Sequence, residues 1–206
     1  MPRYADPAER RAQVANALLR VVAAEGLEAA SIPRIARELG ASTGLVQAYF
    51  RTKDELLLFA ARHLGDLLRA RVAAAVEGGG GVKDRLLRGM SVIAGADDEY
   101  PAEGRVWLAF LARATVHPAL REEHLAGERE IRERCRLAFQ AARETGEAPP
   151  GIDPEAEARA LAAFAEGLAL QRVLEPDTLS GEEVRARLRR YLDRVFAGYG
   201  GAGGTA

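Results

Sequence analysis

The chain has 206 residues, of which 48% are hydrophobic and 29% charged, a balance typical of a globular protein and not of a disordered one. No apolar run reaches the ~18–20 residues of a membrane span, and the opening MPRYADPAERR has no apolar stretch, so we expect no membrane segment, no secretory signal and a cytoplasmic location. The only cysteine, Cys135, excludes an internal disulfide and a zinc site built from several cysteines.

The net charge of −1 is divided unevenly along the chain. Residues 1–53 carry eight Arg or Lys against five Asp or Glu, a net charge of +3. Residues 54–206 carry twenty-one against twenty-five, a net charge of −4. A small basic unit ahead of a larger acidic one favours an anionic ligand at the N-terminal unit.

Three helices are predicted at the start of the chain. The first, of about 18 residues, ends at Glu25–Gly26, where glycine can adopt the left-handed conformation that closes a helix. Ser31 is a typical N-cap for a second, short helix that stops at Gly40, and Ser42 can cap a third short helix over Thr43–Phe50. Two short helices joined by a glycine-containing turn are typical of a helix-turn-helix, whose second helix enters the DNA major groove.

The third helix has an apolar side and a side suited to DNA. The apolar side, which we expect to pack on the first two helices, consists of Leu45, Val46 and Phe50. The other side has no carboxylate and carries Thr43, Gly44, Gln47, Ala48 and Tyr49. There Gly44 would allow close approach of the backbone, Gln47 could pair with adenine and Ala48 could touch a thymine methyl. Placed to hold phosphates are Arg34, Tyr49, Arg51 and Lys53. The alternative is an exposed short helix of an ordinary three-helix core.

The remainder of the chain is also predicted to be helical. A longer helix begins near Asp54 and runs to about Val76, and the glycine run at 78–81 then breaks it, because each glycine costs a helix about 1 kcal/mol. Further breaks at 97–101, 117–118, 146–154 and 175–181 leave about nine helices and no sheet, an all-α fold. The predicted domains are a helix-turn-helix domain over 1–53, a second, larger helical domain over 54–197, and a flexible tail over 198–206.

The segment from Ser31 to Leu57 contains an ordered motif, made by Ile35-Ala36, Gly40-x-Ser42-x-Gly44, Tyr49-Phe50, Lys53 and Leu56-Leu57. This motif resembles the TetR family of one-component bacterial transcriptional regulators. Gln47 departs from the family, which often has Tyr at that place, and this bears on the base preference. The resemblance implies phosphate contacts from Ser31, Arg34, Ser42, Tyr49 and Lys53. It also implies that the residues facing bases are Thr43, Gly44, Gln47 and Ala48.

Three later segments carry a looser pattern: Val106–Ala112, His117–Leu120 and Ala163–Gln171. They resemble the C-terminal domain of the choline/betaine-type members of the same family. The first and last are apolar on all sides, as in helices buried in a core or across an interface. Together, the pattern and the resemblance predict one organic-ligand cavity per subunit, lined by Trp107, Phe110, Leu111, Phe164, Glu166 and Gln171. Alternatively, the bulky side chains simply fill a core.

Glu166 is the one charged residue between Ala160 and Gln171, and a buried carboxylate needs a compensating partner. It is interpreted either as an anchor for a cationic or hydroxylated ligand, or as the partner of an arginine such as Arg113 or Arg172, or as a residue at the edge of an interface. The resemblance to betaine-type regulators favours a cationic ligand, which an aromatic wall would also attract.

The last helix carries one apolar stripe, made by Val184, Leu188, Tyr191, Leu192, Val195 and Phe196. With the preceding helix, over approximately 154–174 and 180–197, it is expected to pair across a two-fold axis as a four-helix bundle, the dimer mode that the resemblance implies. The predicted interface comprises Leu188, Tyr191, Leu192 and Val195. The alternative is that the stripe packs only within its own chain.

The chain carries no pattern typical of an enzyme: we find no Ser/His/Asp set, nucleophile elbow or Gly-rich phosphate loop. We therefore expect neither an enzyme nor a metal or cofactor. The prediction is a ligand-responsive DNA-binding regulator, a homodimer that binds double-stranded DNA and acts as a repressor released from a palindromic operator by a small-molecule effector. The alternative is an all-helical small-molecule binding protein with an idle helix-turn-helix.

Overall fold

The computed structural model describes residues 6–98 and 100–198. Within them the chain forms nine α-helices and no strand, which confirms the predicted all-α fold. The helices are α1 (Pro7–Glu25), α2 (Ile32–Leu39), α3 (Thr43–Tyr49), α4 (Lys53–Val76), α5 (Val82–Ile93), α6 (Tyr100–Ala114), α7 (Pro118–Glu144), α8 (Pro154–Leu174) and α9 (Gly181–Ala197). None of the described helices combines the length and the apolar content that a bilayer crossing requires. The tail predicted to be flexible lies, beyond Gly198, outside the described residues.

Side-chain caps determine where several helices begin. The side chains that accept a hydrogen bond from a backbone N–H in the first turn of the following helix include Asp6, Ser31, Ser42, Asp153 and Ser180. Each such cap contributes about 1 kcal/mol. Gly40 ends α2 with φ 69° and ψ 31°, the left-handed region that glycine adopts without strain. The predicted caps Ser31 and Ser42 and the stop at Gly40 are confirmed. The third helix ends one residue before Phe50, whose backbone is extended.

The described residues form two compact units, and the first comprises residues 6–67 and 102–125. Its core contains buried residues from α1 to α4 and from α6, among them Leu18, Ile35, Val46, Leu56 and Phe110. The sequence places the end of the helix-turn-helix domain at residue 53. The compact unit extends further along the chain, because α6 supplies part of its hydrophobic core.

The second unit comprises residues 68–98, 100–101 and 126–198. Its core is built from α5, α7, α8 and α9, with buried residues such as Met90, Phe139, Leu161, Leu188 and Leu192. The apolar stripe of α9 packs against the other three helices and forms part of the core of the unit. The unit therefore has its own hydrophobic core, separate in composition from that of the first unit.

Candidate nucleic-acid interface and effector residues

A tight turn fixes α3 next to α2 in the first unit. The backbone N–H groups of Gly40 and Ala41 donate to carbonyls of the last turn of α2, at 3.1 and 2.9 Å. These are the carbonyls that the end of a helix leaves without an intrahelical partner. Val46 on α3 and Phe50 directly after it are both 0% exposed. Because these two side chains face inward, the opposite side of α3 faces solvent.

The four residues expected to face DNA bases are all exposed on α3: Thr43, Gly44, Gln47 and Ala48. The helix, with the sequence TGLVQAY, carries no carboxylate. A side chain added at Gly44 would meet only Ser42 Oγ, at 3.8 Å, and its φ is not positive, so the fold itself does not require glycine there. An exposed, uncharged helix of this size can enter a major groove about 12 Å wide.

Two serines expected to contact phosphates also cap helices. The Ser31 hydroxyl accepts from the N–H of Arg34 at 3.3 Å, and the Ser42 hydroxyl accepts from the N–H of Leu45 at 3.2 Å. A hydroxyl that accepts a hydrogen bond still has its own proton to donate. Both serines can therefore cap their helices and donate to a phosphate at the same time.

Two further side chains of this set lie at the end of α3 and the start of α4. Tyr49 is half-buried and packs against the core of the first unit. Lys53 is exposed, and its Nζ donates to the carbonyl oxygen of Leu27 at 3.4 Å. A bond of that length is weak, so the ammonium group can exchange it for a phosphate oxygen.

Arg34, the fifth predicted phosphate contact, is engaged by carboxylates of its own unit. Its Nε and Nη2 donate to Glu25 at 2.9 and 2.6 Å, and its Nη1 and Nη2 donate to Glu38, both at 3.2 Å. Glu25, and then Glu38, raise the pKa of the Arg34 guanidinium. Arg20 and Arg34 in turn hold the pKa of Glu38 below its usual range. Sequence reasoning missed this network, although Arg34 and Glu38 have the i,i+4 spacing of a helical ion pair.

Two side-chain hydrogen bonds position the start of α4. Thr52 Oγ1 accepts from the N–H of Glu55 at 3.0 Å, and the Glu55 carboxylate accepts from the N–H of Arg51 at 2.9 Å. The Thr-x-x-Glu spacing, visible in the sequence, is that of a capping box, but the Glu55 carboxylate bonds the residue before the N-cap and not Thr52 itself. This arrangement holds Arg51 and Lys53 in a fixed place directly after α3.

The residues expected to line an effector cavity are divided between the two units. Trp107, Phe110 and Leu111 lie on α6 in the first unit. Phe110 is 7% exposed and belongs to the core of that unit, whereas Trp107 and Leu111 are half-buried. The other three lie on α8 in the second unit, so the single cavity stays a prediction.

On α8, Phe164 and Gln171 each contact α9. Phe164 is half-buried and stacks on Tyr191, with the ring centroids 5.2 Å apart. Gln171 is exposed and its side-chain oxygen accepts from Arg187 Nη1 at 3.4 Å. Both side chains therefore have partners within the second unit.

Glu166 is half-buried, and a carboxylate oxygen of Glu128 on α7 lies within 4.8 Å of its own. Sequence reasoning missed Glu128, because no local pattern brings α7 next to α8. Of the two arginines considered as partners for Glu166, Arg113 belongs to the first unit, where it faces Asp54 at 3.9 Å. Arg172 is buried and donates from Nη1 to the carbonyl oxygen of Pro176 at 3.2 Å.

The α9 residues predicted to form the dimer interface pack inside their own chain. Leu188 and Leu192 are 0% exposed and Val195 is 2% exposed, in the core of the second unit. They leave no surface for a second chain, so the predicted interface is wrong for these three residues. Tyr191, the fourth, is half-buried and donates from its hydroxyl to Glu157 Oε2 at 3.0 Å.

An exposed apolar stripe lies instead on α8. It consists of small and aliphatic residues that alternate four and three positions apart: Ala156, Ala160, Ala163, Gly167, Leu170 and Leu174. Leu170 is 40% exposed and Leu174 is 67% exposed, in contrast to the buried leucines of α9. This alternation is typical of a seam at which two helices pack against each other. Sequence reasoning missed the stripe, because the segment is apolar on all sides and does not reveal which side faces its own core.

Comparison with protein families gives matches to both parts of the chain. The family model for bacterial regulatory proteins of the tetR family matches residues 15–60, from α1 into α4. The family model for the C-terminal part of the BetI-type transcriptional repressor matches residues 82–197, more than half of the chain. The two matches follow each other without overlap.

Individual proteins are similar over nearly their whole length. The HTH-type transcriptional regulator BetI 2 of Chromohalobacter salexigens is 31% identical over 203 residues, which cover 97% of this chain and 95% of that protein. A transcriptional regulator from Rhodococcus sp. Rha1 has 32% identity and a TM-score of 0.79, covering 91% of this chain and 96% of that one. A regulator from Saccharomonospora viridis, solved in complex with choline, has the same fold, with a TM-score of 0.80 at 22% identity over 91% of this chain and 97% of that one.

Proposed function

The chain belongs to the TetR family of bacterial transcriptional regulators, and on this premise we propose that it is a homodimeric repressor that a small-molecule effector releases from a palindromic operator. The family and the relatives are regulators and not enzymes. The observation that carries the proposal is the outer side of α3, which is exposed and free of carboxylates. Because such a protein acts on the genome, we infer a cytoplasmic location.

On DNA, α3 would lie in the major groove with Thr43, Gly44, Gln47 and Ala48 toward the base edges. Gly44 supports this orientation, because the fold does not require glycine there and close approach to DNA does. A helix-turn-helix that does not bind DNA would not need glycine at this position. The proposed phosphate contacts are Ser31, Ser42, Tyr49, Lys53 and Arg34. Of these, Arg34 would have to share its donors with Glu25 and Glu38.

We expect two substitutions in this region to act differently on DNA binding. Lys53→Ala should weaken binding to all sequences about equally and reduce the salt slope by about one unit, because it removes one phosphate contact. Gln47→Ala should instead relax base preference at one position of each half-site, at a cost of roughly 1–3 kcal/mol. Both effects are measured by fluorescence anisotropy with matched and single-substituted duplexes over a range of salt concentrations.

The matched control for this experiment is Lys83→Ala. Lys83 is the one other lysine of the chain and pairs with Asp193 at 2.9 Å in the second unit, so its loss should change neither the sequence profile nor the salt slope. If Lys53→Ala and Gln47→Ala both kept the wild-type profile and slope, the proposed placement of α3 on DNA would be wrong.

We place the dimer interface on the exposed stripe of α8, which replaces the α9 residues predicted from the sequence. Small side chains at Ala156, Ala160, Ala163 and Gly167 would let two copies of α8 approach closely, since the distance between packed helices depends on the side chains at the contact. Leu170 and Leu174 would lose their exposure in the same contact. A two-fold dimer also matches a palindromic operator, because each subunit then reads one half-site.

Release of DNA would act through α4, which begins shortly after α3 ends. Its residues up to Leu67 belong to the first unit and the rest to the second. In the first unit, Asp54 faces Arg113 at 3.9 Å and His117 at 3.8 Å, near the corner between α6 and α7. An effector that shifts these helices would tilt α4 and change the separation of the two copies of α3. Half-sites lie about 34–36 Å apart. The coupling free energy between effector binding and DNA binding is usually roughly 1–3 kcal/mol, which corresponds to a change of about 5–150-fold in DNA affinity.

The proposed effector class is an organic cation. In the second unit, carboxylate oxygens of Glu128 and Glu166 lie within 4.8 Å, and two negative charges this close favour a positive ligand beside them. Phe164, another proposed lining residue of α8, is aromatic, and aromatic rings attract quaternary ammonium groups. The other proposed lining residues are Trp107, Phe110, Leu111 and Gln171. Choline, which the Saccharomonospora viridis regulator binds, is the first compound to test.

Choline at 100 times its dissociation constant should stabilise the wild-type protein by about 2.7 kcal/mol and release it from DNA. Glu166→Gln should weaken choline binding at least about tenfold, since it removes one anionic partner. Glu182→Gln, at an exposed position of α9, is the matched control and should bind as the wild type does. Thermal-shift titrations measure all three.

Two results would separate the parts of this proposal. Unchanged choline affinity in Glu166→Gln, or no stabilisation of the wild type by choline, would contradict the cationic anchor. Equal stabilisation of Trp107→Ala, Phe164→Ala and the wild type by an effector that does release DNA would contradict the proposed lining residues.

A further inference from the structure

The C-terminal end of α4 is held by an arginine of α5 within the second unit. Arg88 Nε donates to the carbonyl oxygen of Ala75 at 2.8 Å, and Arg88 Nη2 donates to that of Gly78 at 2.7 Å. The last carbonyls of a helix have no intrahelical partner, and a positive charge is favourable at this end of the helix dipole. Arg88 therefore binds the last turn of α4 through Ala75 and the loop directly after it through Gly78, with two charge-assisted hydrogen bonds.

Gly89, the next residue of α5, brings the two helices into close contact. Gly89 is buried, and a Cβ added there would lie 3.1 Å from Val76 Cγ1 and 3.6 Å from Val72 Cγ1. A methyl group at this position would press against the last turn of α4. The absence of a side chain at Gly89 thus determines how closely α4 approaches α5.

The start of α5 is held separately, on the other side of the glycine run 78–81. The Glu147 carboxylate accepts from the N–H groups of Val82 and Lys83, at 2.7 and 2.9 Å. Glycine has more backbone freedom than any other residue, so the run itself is a weak constraint on α4. The contact at Arg88 and Gly89 is the stronger constraint on the end of α4.

We propose that this contact is a fixed pivot for α4 and that Arg88 is a positioning residue that limits which half-site spacings the regulator accepts. The inference rests on the proposed function. The 24 residues of α4 span about 36 Å at 1.5 Å per residue, and the far end adjoins α3. A tilt of about 5° at the pivot therefore moves the start of α4 by about 3 Å, close to the length of one base-pair step.

The test compares operator duplexes whose half-sites are moved apart or together by one and two base pairs. The wild type should prefer one spacing. Arg88→Gln removes the charge-assisted donors, so it should lower affinity for the preferred spacing about tenfold or more and reduce the preference among spacings. Arg88→Lys keeps a positive donor and should restore part of the preference. Arg85→Gln makes the same change at an exposed position of the same helix and should behave as the wild type does.

Hydrogen exchange of the free protein shows whether the pivot has been loosened, because amides at the end of α4 should exchange faster in Arg88→Gln than in Arg85→Gln. Faster exchange together with an unchanged spacing preference would overturn the inference and leave the proposed function intact. If the wild type itself prefers no operator over a scrambled duplex, the proposed function fails first. If Arg88→Gln unfolds below the assay temperature, the Arg88→Lys variant takes its place in the test. A full wild-type spacing preference together with faster exchange in Arg88→Lys overturns the inference. A partial loss of the spacing preference supports it.

Discussion

The Leu192→Arg variant should lose its folded second unit at 25 °C. Leu192 is 0% exposed in the core shared by α5, α7, α8 and α9, so an arginine there would bury a charge without a partner. Such a burial costs several kcal/mol, a large part of the roughly 5–15 kcal/mol that stabilises a typical domain. Leu192→Ala, which only leaves a cavity, should cost about 2–5 kcal/mol and still fold.

Urea unfolding followed by circular dichroism, at one protein concentration, measures both variants. Arg194→Ala, at an exposed position of the same helix, is the control and should stay within about 0.5 kcal/mol of the wild type. A Leu192→Arg protein with the wild-type midpoint would mean that the α9 stripe is not part of the core, and would make it a candidate dimer surface again.

Ala163→Arg should give a folded monomer that binds the operator about 10²–10⁴-fold more weakly. Ala163 lies in the middle of the exposed stripe of α8, where a long charged side chain would keep two helices apart. The fold should survive, because the side chain points to solvent within its own chain. Operator affinity should fall because two half-sites bound by separate chains lose the gain in effective concentration that a dimer provides.

Sedimentation velocity should give twice the 22.2 kDa chain mass for the wild type and the single chain mass for Ala163→Arg. Ala74→Arg, the same change at an exposed position of α4, should remain dimeric. A wild type that is monomeric at micromolar concentration, or an Ala163→Arg variant that is dimeric, would remove the α8 stripe from the proposal.

The beginning of the fold could be predicted from neighbouring residues. Ser31, Gly40 and Ser42 are signals that act over one turn of helix, and each has the predicted role. The inward position of Val46 follows from the same local spacing, because residues three and four apart share a helix face. For these elements, the information needed lies within a few positions of the chain.

Partner choice between distant segments could not be predicted in the same way. The α9 stripe suits an intrachain core and a dimer interface equally well in the sequence, and only the packing of α5, α7 and α8 against it decides. Likewise, the sequence places Val106 and Phe110 in the effector-binding domain, but in the structure they belong to the core of the first unit. Arginine is a residue type suited to binding phosphate, and the sequence predicts that role for Arg34. Its pairing with Glu25 could not be predicted, because it depends on how α1 and α2 cross.

The central claim is that a dimer of this chain reads DNA through α3. The most direct measurement is selection of duplexes from a random pool by the wild-type protein, followed by titration of the recovered and a scrambled duplex at several salt concentrations. We expect a palindrome whose half-sites are about 10–10.5 base pairs apart, or a multiple of that, bound at least about 10³-fold more tightly than the scrambled duplex. No enriched sequence, or equal affinity for both duplexes, would contradict the claim and favour a small-molecule binding protein with an idle helix-turn-helix.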